Sequence, residues 1–292
     1  MIHLRKQLNK MLYKRLIFGD FHGHFDTLEQ IYQSENPYSV IMLGDYFDNF
    51  SNDSIKIKGD FEKLLSLREA HLSDTKKGDF TLLLGNHDFH YLLYGVERYS
   101  GYNTGYDIWA HGKLQELWES NQLKLIEYDY TSKTIYSHAG ITNTWLKENR
   151  MEGIDIQYLN DSKLLNLYTL RFTYAGGGDW YGDSVYSSPI WVRPNALLSD
   201  MYKDEEGIVW TQIVGHTNSS TPVCYYPKNN KVGYPRVVDW NIINEKEEKP
   251  ILWIMDCMPF YYIRETINEN GEVLNREIVK SEIIKKKRYY EN

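Results

Sequence analysis

Five short segments, each following an apolar run, concentrate residues that can bind cations or move protons. They are Gly19-Asp20-Phe21-His22-Gly23, Gly44-Asp45-Tyr46-Phe47-Asp48, Gly85-Asn86-His87-Asp88, Ser137-His138-Ala139-Gly140 and Gly215-His216-Thr217. Carboxylates, an amide and imidazoles are the donors suited to hard-to-borderline metal ions. Two such ions in one site form a hydrolytic centre, most often for phosphate esters. One motif of this kind carries little weight, whereas five in succession define a candidate two-metal site.

Asp20 and His22 are two residues apart at the end of an apolar run, and in an extended segment that spacing puts both side chains on one side. Asp45 ends the next run and, with two oxygens, can bridge two ions. Asn86 offers a neutral amide oxygen, and His138 and His216 offer imidazoles from later in the chain. The expected arrangement has Asp20, His22 and Asp45 on one ion and Asp45, Asn86, His138 and His216 on the other. The ions would lie roughly 3.5–4 Å apart and share a hydroxide for in-line attack on phosphorus.

These residues need strand ends to hold them. Leu16-Ile17-Phe18, Val40 to Leu43 and Phe80 to Leu84 are continuous apolar runs ending at a glycine, the pattern of strands buried on both faces. Between them, Phe25, Leu28, Ile31 and Tyr32, and then Phe61, Leu64, Leu65 and Leu67 or Arg68, fall at helical spacing. That order predicts a parallel α/β layer over the first 90 residues or so. Further strands are expected at Thr134–Ser137, Thr211–Val214, Arg236–Trp240, Ile251–Met255 and Phe260–Ile263, forming a second, mixed sheet packed on the first. The Gly176-Gly177-Gly178 run lacks the Gly-Lys-Ser/Thr of a P-loop, and with Asp179 and Asp183 it is expected to rim the site or turn the chain. The stretch from Glu277, ending in Lys285-Lys286-Lys287-Arg288, is expected to be a solvated basic helix.

The 292 residues, with a formal net charge of -7, 42% hydrophobic and 25% charged, are an ordinary globular composition. One domain, 1–292, is expected, with a catalytic core over about 13–265 and a basic extension over about 277–292. The acidic balance argues against a nucleic-acid partner. Cys224 and Cys257 are too few for a disulfide framework. No apolar run reaches the roughly 18 residues of a membrane span, and basic residues break up the N-terminal apolar positions. A cytoplasmic protein without a membrane partner is the expectation.

The order GDxHG, GDxxD, GNHD, HAG, GHT resembles the calcineurin-like metallophosphoesterase superfamily. The resemblance spans roughly Arg15 to Met258 and is to the branch of phosphoprotein phosphatases and symmetrical diadenosine tetraphosphatases. It implies an α/β fold, a four-layer α/β/β/α sandwich of two mixed sheets flanked by helices, and Mn²⁺, Fe or Zn²⁺ in the site, with manganese favoured. It also implies that His87 is the general acid for the leaving oxygen and that Asp48 orients it. A carboxylate partner fixes a histidine's tautomer and raises its pKa. Relatives usually carry Asp-Arg-Gly where this chain has Asp48-Asn49-Phe50. The missing arginine is a phosphate clamp there, and an amide does not replace a guanidinium. Arg193, in a Trp-x-Arg segment similar to one in the tetraphosphatases, is the candidate replacement, with Arg171 second. His24 and His90 lie next to motifs and are candidates for contacts at the edge of the site.

The expected activity is a phosphomonoesterase of the Ser/Thr-phosphatase type acting on a phosphoprotein. A dinucleoside polyphosphate or nucleotide pyrophosphohydrolase is the alternative, with a nucleic-acid end phosphatase third. An inactive phospho-ligand-binding module would require a lost metal ligand, and none is lost.

Overall fold

The computed structural model describes residues 11–48, 53–161, 165–172, 181–228, 231–236 and 249–281, with the backbone alone at 228 and 231–236. Asn49-Phe50, the glycine run with Asp179, Val237–Trp240 and Lys285–Arg288 lie outside these residues.

The chain runs β1 (Leu12–Phe18), α1 (Phe25–Glu35), β2 (Ser39–Met42), α2 (Ser54–Ser73), β3 (Phe80–Leu83), α3 (Asn86–Leu92), α4 (Asp107–Glu119), β4 (Leu123–Lys124), β5 (Ile126–Asp129), β6 (Thr134–Ser137) and α5 (Asn143–Glu148). Two 3₁₀ turns follow, then α6 (Pro194–Ser199), β7 (Thr211–Val214), β8 (Val223–Lys228), β9 (Lys231–Arg236), β10 (Leu252–Ile254), β11 (Tyr261–Asn268) and β12 (Val273–Lys280). One sheet has the order β12-β11-β1-β2-β3-β4 and the other β5-β6-β7-β10-β8-β9.

The continuous apolar runs become strands buried on both faces because each residue has a different neighbour above and below. In β1, Leu16 and Phe18 pack with Phe25, Leu28 and Ile31 of α1, while Ile17 meets Tyr136, Ile213 and Trp253 of the other sheet. β2 and β3 alternate alike: Val40, Met42 and Leu82 join the helix side, and Ile41 and Leu83 the sheet interface. Behind the second sheet, Leu197 and Leu198 of α6 pack on Val214, Leu252 and Ile254. Two mixed sheets face to face with helices outside make the α/β/β/α sandwich expected. Each such fully buried Leu, Ile or Phe contributes about 1.5–3 kcal/mol.

Local signals set the helix ends. Asp53 caps α2 by accepting from the Lys56 N–H at 2.9 Å. Asn36, left-handed at φ 45, closes α1 by donating its N–H to Tyr32 O, and Pro37 prevents continuation.

Two expectations fail. The strand expected at Phe260–Ile263 is β11, and it pairs antiparallel with β1 in the first sheet, not the second. Glu277–Lys280, expected to begin a basic helix, complete β12 on the edge of that same sheet. The return of β11 is held by a buried charge cluster. Glu265, fully buried, accepts from Arg15 Nε at 2.6 Å, Arg276 Nε at 2.7 Å and the Tyr136 hydroxyl at 2.8 Å. Arg15 also reaches Asp129 at 3.3 Å, so one cluster ties β1, β11 and β12 to β5 and β6 of the opposite sheet.

Candidate functional site

The first three motifs leave β1, β2 and β3 side by side, and the last two leave β6 and β7 of the facing sheet. The alternation argued for Asp20 and His22 does not occur. β1 ends at Phe18, and His22 sits in a turn at φ 41. Asp45 (φ 55), Asp48 (φ 61) and His216 (φ 60) are left-handed too. Such positions cost of order 1–3 kcal/mol each and cluster where side chains are held for use. Here they turn donors inward that extended backbone would spread apart.

The expected ligands converge. His22 Nε2 lies 3.7 Å and His138 Nε2 3.5 Å from Asp45 Oδ2. Asn86 Oδ1 lies 2.8 Å from His138 Nε2 and 2.9 Å from His216 Nδ1. Asp20 joins His22 and Asp45 with donor atoms within 4.8 Å of one another and accepts from the His216 N–H at 3.0 Å. Two glycines make room. A Cβ on Gly85 would come 2.2 Å from Asp45 Oδ1, and one on Gly215 2.0 Å from Asp20 Oδ1.

Each outer ring nitrogen meets a backbone carbonyl. His22 Nδ1 meets Phe47 O at 2.7 Å, His138 Nδ1 meets Leu43 O at 2.9 Å, and His216 Nε2 meets Trp191 O at 3.1 Å. Carbonyls only accept and a neutral ring has one proton; with that proton on the outer nitrogen, the inward nitrogens of His138 and His216 turn lone pairs to Asn86 Oδ1, which also only accepts. Burial holds His22 down at about 4 and His138 at about 3, and pushes His216 well below its usual value, so all three are neutral near pH 7. Burial and a neighbouring carboxylate push Asp20 and Asp45 upward: Asp256 raises Asp20, and Asp20 raises Asp45. Asn86 Oδ1 thus faces two imidazole lone pairs with no proton between, beside two crowded carboxylates. Divalent cations satisfy that donor set, so the residues fit the metals.

His87 opens α3 beside this cluster. Its N–H donates to Asp45 Oδ1 at 2.8 Å, and its Nδ1 lies 3.0 Å from Asp48 Oδ2. Asp88 is not turned toward the ligands; it accepts from the N–H groups of Gly85, Asp45 and Tyr46 at 2.7–2.9 Å. One carboxylate thereby locks the second motif to the third. Arg193 precedes α6, and its Nη1 donates to His216 O at 2.9 Å and Thr217 Oγ1 at 3.3 Å. It lies within electrostatic reach of Asp256, Asp20 and Asp45. Arg171 is engaged elsewhere, with Glu97 at 2.8 Å.

Asp256 was missed. It follows β10 as the other donors follow their strands, and it hydrogen-bonds the Asp20 carboxylate; burial pushes it up to about 6. Met255-Asp256 after the apolar Ile251–Ile254 was the available signal.

A family model, calcineurin-like phosphoesterase, matches residues 13–276. The chain belongs to that family. This phosphoesterase is therefore a metal-dependent phosphoric ester hydrolase, as the motif order implied. Among solved structures it is similar to a protein serine/threonine phosphatase from Saccharomyces cerevisiae, itself described as similar to human phosphatase PP5. Identity is 14%, with 92% of this chain and 80% of that one covered and a TM-score of 0.49. It is also similar to a metallophosphoesterase from Sphaerobacter thermophilus, at 14% identity, 94% and 91% coverage and a TM-score of 0.47. A search of curated proteins gives no match. No helix among the described residues is long and apolar enough to cross a membrane.

Proposed function

We propose that this phosphoesterase is a phosphomonoesterase with a two-ion centre, manganese being the favoured metal. Asp20, His22 and Asp45 would hold one ion, and Asp45, Asn86, His138 and His216 the other. The observation that carries the reading is the convergence of Asn86 Oδ1 with two imidazole nitrogens at 2.8 and 2.9 Å, next to paired buried carboxylates. Divalent cations bound there supply Lewis-acid polarisation of the phosphate and a water acidic enough to act as nucleophile near pH 7.

The protein's own groups supply the rest. Phe47, Leu43 and Trp191 carbonyls hold the three ligand imidazoles in their working tautomers. His87, with Nδ1 engaged by Asp48, keeps Nε2 to protonate a departing alkoxide. Arg193 offers its guanidinium to the phosphate in place of the arginine absent after Asp48. A general acid matters most for a poor leaving group, which favours an alkyl phosphomonoester such as phosphoserine or phosphothreonine over an activated anhydride.

The purified protein, supplemented with Mn²⁺, should hydrolyse phenyl phosphate and 4-nitrophenyl phosphate. His87→Asn should slow phenyl phosphate about 10²-fold, within the range of a general acid, and 4-nitrophenyl phosphate far less. No turnover by protein with metal bound would refute the enzyme reading, and equal slowing would refute the role of His87. A panel of phosphopeptides, diadenosine tetraphosphate, nucleotides and RNA 5′ ends then tests the substrate. Preference for diadenosine tetraphosphate over every phosphopeptide would overturn the monoesterase assignment.

A further inference from the structure

Three residues after His87, on the same face of α3, lies a second histidine that the reaction as drawn does not use. His90 is fully buried. Its Nδ1 accepts from the Tyr99 backbone N–H at 3.2 Å, which leaves the ring proton on Nε2. That Nε2 lies 2.7 Å from Asp48 Oδ2, the same oxygen that meets His87 Nδ1 at 3.0 Å. The approach is off the axis of a well-formed hydrogen bond, so the neutral ring meets the carboxylate through its N–H dipole and close contact. The other oxygen, Asp48 Oδ1, accepts from the hydroxyls of Tyr91 and Tyr106. The His90 ring cannot tilt freely. Tyr99 stacks on it with centroids 5.2 Å apart, and the edges of Tyr91 and Tyr102 meet it at 4.3 and 5.0 Å.

Burying an imidazole costs free energy unless its polar atoms find partners, and here Nδ1 has the Tyr99 N–H while Nε2 is set against Asp48 Oδ2. The two tyrosine hydroxyls fix one end of the carboxylate, but neither touches the oxygen that faces His87. Only His90 does. We propose that His90 is a positioning residue for proton transfer: it pins Asp48 Oδ2 so that His87 Nδ1 meets an acceptor of fixed place and direction. The proposal rests on His87 being the general acid and assigns the next link behind it.

Asparagine and glutamine at position 90 separate the two nitrogens. An Asn oxygen can replace Nδ1 and keep the Tyr99 N–H, but its side chain is too short to reach Asp48. A Gln amide NH₂ can occupy the place of Nε2. With metal-loaded full-length protein, His90→Asn should lower kcat for phenyl phosphate about tenfold more than for 4-nitrophenyl phosphate. That falls below the roughly 10²–10⁴-fold worth of the acid itself, and KM should not change. His90→Gln should restore most of the difference. A general loss of structure would slow both substrates equally, and that result overturns the proposal, as does no loss in His90→Asn or no recovery in His90→Gln. Should His90→Asn fail to fold, ¹⁵N NMR of the unaltered protein decides: His90 must carry its proton on Nε2, and a proton on Nδ1 refutes the arrangement. If His87→Asn itself shows no dependence on leaving group, it is the role of His87 that has failed.

Discussion

Asp48→Asn tests the proton-transfer half of the site. The native carboxylate accepts from the Tyr91 hydroxyl, from the Tyr106 hydroxyl at 2.7 Å and from His87 Nδ1 at 3.0 Å, with His90 Nε2 2.7 Å away. An amide of the same shape has one accepting oxygen and one donating NH₂. If its oxygen stays with the imidazoles, the NH₂ confronts two hydroxyls. The Tyr91 oxygen already accepts from the Asn103 N–H at 2.9 Å, and the Tyr106 oxygen from the N–H of residue 48 at 3.2 Å. That side therefore holds more donors than acceptors. One buried donor left unpaired costs about 1–3 kcal/mol, and a bond to a charged acceptor contributes about 1.5–3 kcal/mol, so a loss of about 2.5–6 kcal/mol is expected in urea denaturation. Burial alone would raise the Asp48 carboxyl, but the contacts from His87, His90 and Tyr91 outweigh it and hold it well below the usual range. A depressed folded-state pKa gives stability that is present above the unfolded value, about 3.9, and is lost as pH falls through the folded one. The gap between native and variant should therefore be flat from about pH 5 to 8 and narrow only below about pH 4. Kinetically, phenyl phosphate should slow about 10²-fold while 4-nitrophenyl phosphate changes much less. Equal slowing of both, or a stability cost under about 1 kcal/mol, would show that Asp48 neither orients an acid nor anchors the cluster.

Arg193→Ala should raise KM for phosphate esters about tenfold, from loss of a charge-assisted contact worth about 1.5 kcal/mol, with kcat less affected. Unchanged kinetics would confine Arg193 to its contacts with His216 O and Thr217. Glu265→Gln should cost about 3–5 kcal/mol in chemical denaturation, because Arg15 and Arg276 would be left as buried charges without their carboxylate. A cost under about 1 kcal/mol would mean that water reaches the cluster.

The first sheet was largely legible because its strands have neighbours on both faces. Leu16-Ile17-Phe18, Val40 to Met42 and Phe80 to Leu83 are apolar except at Thr81, whose hydroxyl donates to Glu127 at 3.0 Å, and that near-continuity shows in one dimension. Phe260–Ile263 was equally legible as a strand but not as a member of that sheet. Nothing local distinguishes it. Its place is decided by Glu265 finding Arg15, 250 positions earlier in the chain. β12 was hidden for a related reason. As an edge strand it has no buried residue and no in-out alternation, and its charges Arg276 and Glu277 resemble those of a solvated helix until their partners Glu265 and Arg264 are seen.

The site shows how a partly wrong argument can still pick out candidate donors that converge. Donor types at strand ends were readable, and all six proposed ligands come together, yet period-2 alternation is not what joins Asp20 to His22. The left-handed backbone at His22, Asp45 and His216 does that, and no residue type announces it, since glycine is absent from those three positions. Chemistry limits which residues can serve, whereas the backbone route to the site is free to vary as long as the rest of the fold offsets its strain. Residues acting on other residues were harder to see for the same reason. Asp256 and His90 need only a hydrogen-bonding atom at the right point, a demand that many side chains meet and no motif enforces. For His90 one signal was present: an i, i+3 pair of histidines on one short helix places both rings on one face. With the first ring engaged by Asp48, the second could hardly avoid the same carboxylate.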